Sequence, residues 1–223
     1  MDKNKIWKLY DDKENIFFSK SFQDNENLIH YFGYDFIYQE IYNWNDSKTG
    51  CIYEMWDCQL NDGDVVVDLG ANVGFFSVKA SEKASRIISV DGSPESYSCL
   101  VENCKDYPNI QTLNASILSE DSQPSWLWSR KDNPLRMTLE QLMDLYKLDR
   151  IDFLKCDIEG GEYDLLKSLS PEILSKIDRI AVETHDELKN IDFMLPTKIR
   201  HTFHWIYNGG SQTMFYFVTP KNY

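Results

Sequence analysis

No run of about 18 apolar residues occurs in the chain, so no helix long enough to cross a bilayer is expected. The N-terminus, Met-Asp-Lys-Asn-Lys, lacks an apolar signal core, and a soluble cytoplasmic protein with no membrane partner is expected. Cysteines are few and odd in number, with no CxxC spacing. Cys51, Cys58, Cys99, Cys104 and Cys156 therefore read as reduced thiols in core or helix patterns rather than as a disulfide framework. Positive charge is scarce: 23 Lys and Arg stand against 36 Asp and Glu, a formal net charge of -13. Phosphate chains are bound largely through clustered Lys and Arg, so no nucleic-acid partner is expected, although a local basic patch, for instance Arg130, Lys131 and Arg136, would run the other way. Internal repeats and low-complexity linkers are also missing. The 223 residues suffice for one full-sized core but not for two complete domains.

What is present changes character near residue 60. Residues 1–60 hold 14 of the 31 aromatic residues and read as a cover, with packing the favoured role for its rings. Residues 61–223 read as the main unit, the two forming one compact body. Candidate strands lie at 65–69, 86–91, 110–115, 151–157 and 178–184, with helical patterns between them. Thr138 and Gln141 make a capping box, and Ser170 with Pro171 opens another helix. Such alternation gives right-handed crossovers and a parallel sheet with helices on both faces. The chain then ends in two strands around Gly209-Gly210, a hairpin that closes the sheet with an antiparallel edge.

The segment "VVVDLGANVGFFSV", residues 65–78, carries the functional signal. Three consecutive valines suit a strand buried on both faces, which puts Asp68 near its carboxyl end. Gly70 and Gly74 frame a turn that lets a ligand approach the backbone, and a helix over 75–82 starts at the same spot. Asp91 ends the next strand, 21 residues after Gly70, where an acid accepts ribose hydroxyls. A nicotinamide fingerprint would need glycine at Asn72. Asp68 would also repel a pyrophosphate, whereas it suits a ligand carrying an ammonium and a sulfonium. S-adenosylmethionine carries both.

These segments, with "SVDGSPES", "NASI", "MTLEQLMDL" and above all "DFLKCDIEGGEYDLLKS", resemble the FkbM-type methyltransferases over roughly residues 50–185. The resemblance implies a Rossmann-like class I methyltransferase fold, α/β, with a seven-stranded, mostly parallel sheet whose last strand is antiparallel. It also implies S-adenosylmethionine as cofactor and O-methylation of a hydroxyl, often on a sugar or glycan. By position, Asp68, Gly70, Asn72 and Gly74 would hold the methionine part, Asp91 the ribose, and Asn114, Ala115 and Ser116 the adenine edge. The family often has Glu-Pro where this chain has Asp91-Gly92, so adenine stacking there departs from the pattern. Tyr53 and Glu54, just ahead of the valine strand, are placed to reach over the cofactor.

Methyl transfer is an in-line displacement that needs an aligned acceptor and a base for its proton. Asp157 and Glu159 at the end of strand 151–157 are candidates, as is His185, with Asp157 also approaching the methionine end. Glu162 reads as structural. A divalent metal on Asp157, Glu159, Glu183 or His185 would suit hard-cation chemistry, but no spacing is diagnostic and metal-free catalysis is favoured. The aromatic "SWLWSRKD" segment, with Trp126 and Trp128, is a candidate acceptor surface. Three rival functions remain: a nucleic-acid or protein methyltransferase, a non-catalytic S-adenosylmethionine-binding protein and an NAD-dependent oxidoreductase. Base N-methylation usually uses an Asn-Pro-Pro-aromatic or Asp-Pro-Pro-aromatic turn, and here that place reads Asp157-Ile158-Glu159-Gly160.

Overall fold

A computed structural model describes residues 7–10, 15–18, 52–118, 135–184, 195, 198–207 and 210–220. Near the N-terminus, β1 (Trp7–Tyr10) and β2 (Asn15–Phe18) pair antiparallel as a separate ladder. The main sheet begins at β3 (Val65–Leu69) and continues through β4 (Arg86–Asp91), β5 (Ile110–Ile117) and the short β6 (Leu135–Met137). The chain then returns to the other side of β3 with β7 (Ile151–Cys156) and β8 (Ile177–Thr184), and ends in the hairpin β9 (Ile199–Tyr207) and β10 (Gly210–Val218). The spatial order is β6-β5-β4-β3-β7-β8-β10-β9. Every neighbouring pair from β6 to β8 is parallel, and β10 runs antiparallel to both β8 and β9.

The class I methyltransferase expectation holds, with two refinements. Short β6 adds an eighth strand, and the antiparallel strand lies one place in from the edge, which β9 occupies. Helices α1 (Phe75–Ala80), α2 (Pro94–Cys104), α3 (Leu139–Tyr146), α4 (Glu162–Ser168) and α5 (Pro171–Ser175) fill the connections. Their starts follow local chemistry. The Thr138 hydroxyl accepts from Gln141 N and the Gln141 side chain accepts from Thr138 N, completing the capping box, while Ser93 and Ser170 cap α2 and α5 ahead of a proline.

Strand period two divides the core. Val67, Ile88, Leu154 and Ile180 face one buried layer, and Val66, Ile87, Phe153 and Ala181 face the other. Both faces are buried, as a parallel sheet requires. Each fully buried valine or isoleucine contributes about 1.5–3 kcal/mol. Ile52, Tyr53, Met55, Cys58 and Leu60 cover the second layer, so this end of the aromatic segment is core. Cys58, Cys99, Cys104 and Cys156 are buried thiols outside any disulfide, and burial pushes the Cys104 thiol up to about 12. Among the described residues no helix is long and apolar enough to cross a membrane.

Candidate active site

The chain leaves β3 for one side of the sheet and later returns to the other at β7, so a crevice opens beyond the carboxyl ends of these strands. A cavity of about 360 Å³ fills it, with Leu69, Val90, Ile117 and Ile158 among its apolar walls. That size suits a small molecule.

Gly70 forms the floor. Its φ is +72°, and an added Cβ would lie 1.6 Å from the Asp157 carbonyl oxygen, so the approach of the β3 and β7 ends admits only glycine. Gly70 N and Ala71 N both donate to Val90 O at 2.9 Å, which bends the chain across the end of β4. Asn72 follows in the left-handed region, φ 52°, and its N–H donates to Asp91 Oδ2 at 2.8 Å. Ser93 N donates to Asp91 Oδ1 at 2.7 Å. Burial raises the Asp91 pKa to about 6, against the pull of the Ser93 and Asn72 backbone N–H groups. Each carboxylate oxygen keeps lone-pair capacity beyond these bonds.

Ser116 lines the same cavity, and its buried Oγ has no hydrogen-bond partner among the described residues. An orphaned buried hydroxyl is costly unless a ligand satisfies it. A Cβ on Gly92 would come within 2.6 Å of that Oγ, so the serine accounts for glycine where the family pattern has proline. Asp91, the Ser116 hydroxyl and the apolar walls fit a nucleoside ligand such as the one S-adenosylmethionine carries.

On the other side of the crevice, Asp157 and exposed Glu159 also line the cavity. Glu159 takes the left-handed conformation, φ 59°. Glu162 is buried and shapes this loop: Oε1 accepts from Ile158 N and Gly160 N, each at 3.0 Å, in agreement with its structural reading. Behind Asp157, the Tyr53 hydroxyl lies 2.9 Å from Asp157 Oδ2 and 3.2 Å from Glu183 Oε2.

Four residues read as cofactor contacts do not line this cavity. Asp68 is fully buried beneath it, accepting from Ser77 Oγ at 2.6 Å and ion-pairing with Lys155 Nζ at 3.2 Å, so it serves as a counter-ion within the sheet. Gly74, φ 98°, stands at the start of α1, where a Cβ would lie 2.9 Å from Leu100 Cδ1; close contact with α2 explains it. Asn114 is level with Asp91 in the β4–β5 register and donates Nδ2 to Asp91 O at 2.8 Å. β5 runs on to Ile117, which carries Ala115 and Ser116 past the end of β4 and into the site. Glu54 is buried, accepts from Leu60 N at 3.1 Å and pairs with Lys83 at 3.7 Å, which turns it away from the cofactor. His185, Trp126, Trp128, Arg130 and Lys131 lie outside the described residues. Among the described residues no group of three His, Cys, Asp or Glu is arranged to hold a metal ion.

Lys155 is the residue that sequence reasoning missed. Its Nζ is buried, donates to Gly70 O at 2.6 Å, and lies 3.7 Å from Asp157 Oδ2 and 5.2 Å from the centre of the Tyr53 ring. Burial alone would lower its pKa, but Asp68, Asp157 and Glu183 more than offset that and hold it above the ordinary lysine value. It is therefore an ammonium, and it ties the Gly70 turn to the end of β7. A lysine inside the apolar run "IDFLKC" was the available signal, since a buried ammonium requires nearby acids.

A Rossmann-like sheet with a glycine turn, an acid at the end of β4 and carboxylates at the end of β7 defines a class I methyltransferase. The methyltransferase FkbM domain matches residues 68–209, and the chain belongs to that family; its cofactor is S-adenosylmethionine. The FkbM methyltransferase structure from Methylobacillus flagellatus KT superposes with a TM-score of 0.54 at 17% identity, covering 71% of this chain and 44% of that one. Among curated relatives, a tRNA (guanine(37)-N(1))-methyltransferase of Xenopus tropicalis is 35% identical over 193 residues, covering 77% of this chain and 32% of the relative. Its counterpart from Aedes aegypti is 36% identical over 74 residues, covering 32% of this chain and 12% of the relative. The chain thus spans less than a third of the length of these two tRNA methyltransferases. These matches overturn the inference from acidity that a nucleic-acid partner is absent. Net charge sums the whole chain, whereas phosphate binding depends on where the positive charges cluster.

Proposed function

We propose that this methyltransferase acts on a nitrogen of a nucleic-acid base, with tRNA guanine N1 as the acceptor to test first. One observation carries the reading: the similarity to tRNA (guanine(37)-N(1))-methyltransferases coincides with a pair of carboxylates, Asp157 and Glu159, on the cavity rim. Guanine N1 bears a proton, and its electron pair becomes nucleophilic only as that proton leaves. A carboxylate within hydrogen-bond reach meets that need. The proline-rich turn absent here suits an exocyclic amine, which must be gripped by acceptors. A ring N–H needs a base instead, so the Asp-Ile-Glu-Gly sequence is compatible with ring-nitrogen chemistry.

When bound, S-adenosylmethionine supplies a methyl carbon activated by the neighbouring sulfonium. The residues of the chain do the rest. Asp91 accepts the ribose hydroxyls, Gly70 and Asn72 let the backbone approach the methionine part, and Ala115 with the Ser116 hydroxyl meets the adenine edge. Asp157 or Glu159 takes the acceptor proton, and the rim aligns the nucleophile, which is worth several kcal/mol when the geometry is right.

The test offers the full chain labelled S-adenosylmethionine with a tRNA transcript carrying G37, the same transcript carrying A37, and a panel of sugars, nucleotide sugars and glycans. Label in the G37 transcript, recovered as N1-methylguanine after nuclease digestion and absent with A37, supports the reading. Label appearing in the sugar panel instead would overturn it and return transfer to a hydroxyl oxygen as the function.

A further inference from the structure

Tyr53 lies ahead of the segment that matches the FkbM domain, yet its hydroxyl stands between two carboxylates at the ends of neighbouring strands. Asp157 Oδ2 is 2.9 Å from it and Glu183 Oε2 is 3.2 Å from it, both within hydrogen-bond distance. The ring is held in place: it meets Phe76 edge-on at 5.4 Å, the Lys155 ammonium lies over it at 5.2 Å, and Tyr53 and Glu183 are both buried. Three carboxyl groups, Asp68, Asp157 and Glu183, surround one ammonium, Lys155, so acids outnumber bases in the cluster.

We propose that Tyr53 and Glu183 are positioning residues for Asp157, the shared phenol coupling the two carboxylates through its hydrogen bonds. The inference rests on Asp157 being the base that receives the acceptor proton. While Asp157 is ionised, the phenol donates to it and fixes its orientation from behind. Once Asp157 has taken the acceptor proton, the new carboxyl O–H donates to the phenol oxygen and the phenol O–H turns to Glu183. One proton has left the acceptor and resides on Asp157; no bond to the tyrosine oxygen breaks. Glu183 supplies the acceptor that the phenol needs in the second state, so the active-site base gains a proton without leaving a buried donor unsatisfied.

The groups around Asp157 are Tyr53 from the segment before β3, Lys155 and Cys156 from β7, Asp68 from β3 through Lys155, Glu183 from β8 through the phenol, Glu159 on the same cavity wall, and Glu162 at the start of α4, which holds the loop after Asp157. All except the substituted residue are common to the variants compared. The experiment follows the carboxyl carbon of Asp157 by 13C NMR through a pH titration of the full ligand-free chain, the signal being assigned by its loss in Asp157→Asn. Tyr53→Phe removes only a hydroxyl that donates to the ionised form, so the midpoint should move up by about 0.5 pH unit or more. Glu183→Gln removes a like charge and should move it down by about as much. The double variant should depart from the sum of the two single shifts, because the two residues act through one phenol. Midpoints that stay fixed, or that move in the same direction in both single variants, overturn the proposal. If Tyr53→Phe does not fold, Glu183→Gln decides alone, and an unmoved or raised midpoint overturns it. No acceptor is present in this measurement, so a negative result with tRNA leaves it intact, and unmoved midpoints in a protein that methylates tRNA reject only the positioning pair.

Discussion

Asp68, one residue before the end of β3, and Asp91, the last residue of β4, sit on neighbouring parallel strands in opposite surroundings. Asp68 meets Ser77 and the Lys155 ammonium inside the sheet and is fully buried. Asp91 meets two backbone N–H groups on the rim and lines the cavity. The difference teaches that an acid at a strand end becomes a ligand group only when no side chain of opposite charge reaches it first. The interior cluster around Lys155 builds the floor of the site, and the open rim above it holds the groups available to ligand and acceptor.

Breaking the floor should have the largest effects. Gly70→Ala drives a methyl group into the Asp157 carbonyl and strains a left-handed residue, so chemical denaturation should show a loss above about 3 kcal/mol or no folded protein. Lys155→Met leaves Asp68 buried without its counter-ion and should cost about 3–5 kcal/mol in the same measurement. A cost under about 1 kcal/mol would show that the cluster does not hold the floor.

Changes on the rim should spare stability and alter turnover. Asp157→Asn or Glu159→Gln, whichever residue is the base, should lower single-turnover methyl transfer about 10²- to 10⁴-fold while cofactor affinity barely moves. Glu54→Gln should give the smallest effect. It keeps an acceptor for Leu60 N, loses part of the pairing with Lys83, and should leave cofactor affinity within about twofold in calorimetry, since it does not line the cavity.

Much of this comparison was legible in the sequence, and the rest failed for identifiable reasons. The valine strand, the Gly70 turn, the position of Asp91 at a strand end, the capping box and the terminal hairpin all rest on local patterns, and each appears in the structure. Asp68 was misread because its partner lies 87 residues away on β7, and the Asp68–Lys155 register is set by sheet assembly rather than by spacing. Asn114 and Ser116 were read as equivalent because β5 was expected to stop at residue 115; two further strand residues decide which of them passes the end of β4. Glu54 was read as reaching over the cofactor because nothing in the sequence marks Leu60 N as its partner. Acidity misled about partners because a sum over the chain carries no position.

Calorimetric titration of S-adenosylhomocysteine into the wild-type chain and Asp91→Ala, at pH 7.5 and again at pH 5, tests the cofactor site most directly. Asp91 titrates near 6 in the free protein because burial disfavours its charged form. The charged form is the better acceptor for ribose hydroxyls, so affinity should be full above that pH and fall as the pH drops through about 6. At pH 7.5 Asp91→Ala should cost about 1.5–3 kcal/mol of binding free energy and should remove most of the pH dependence. Equal affinity in the two proteins at both pH values would contradict the assignment of this crevice as the S-adenosylmethionine site.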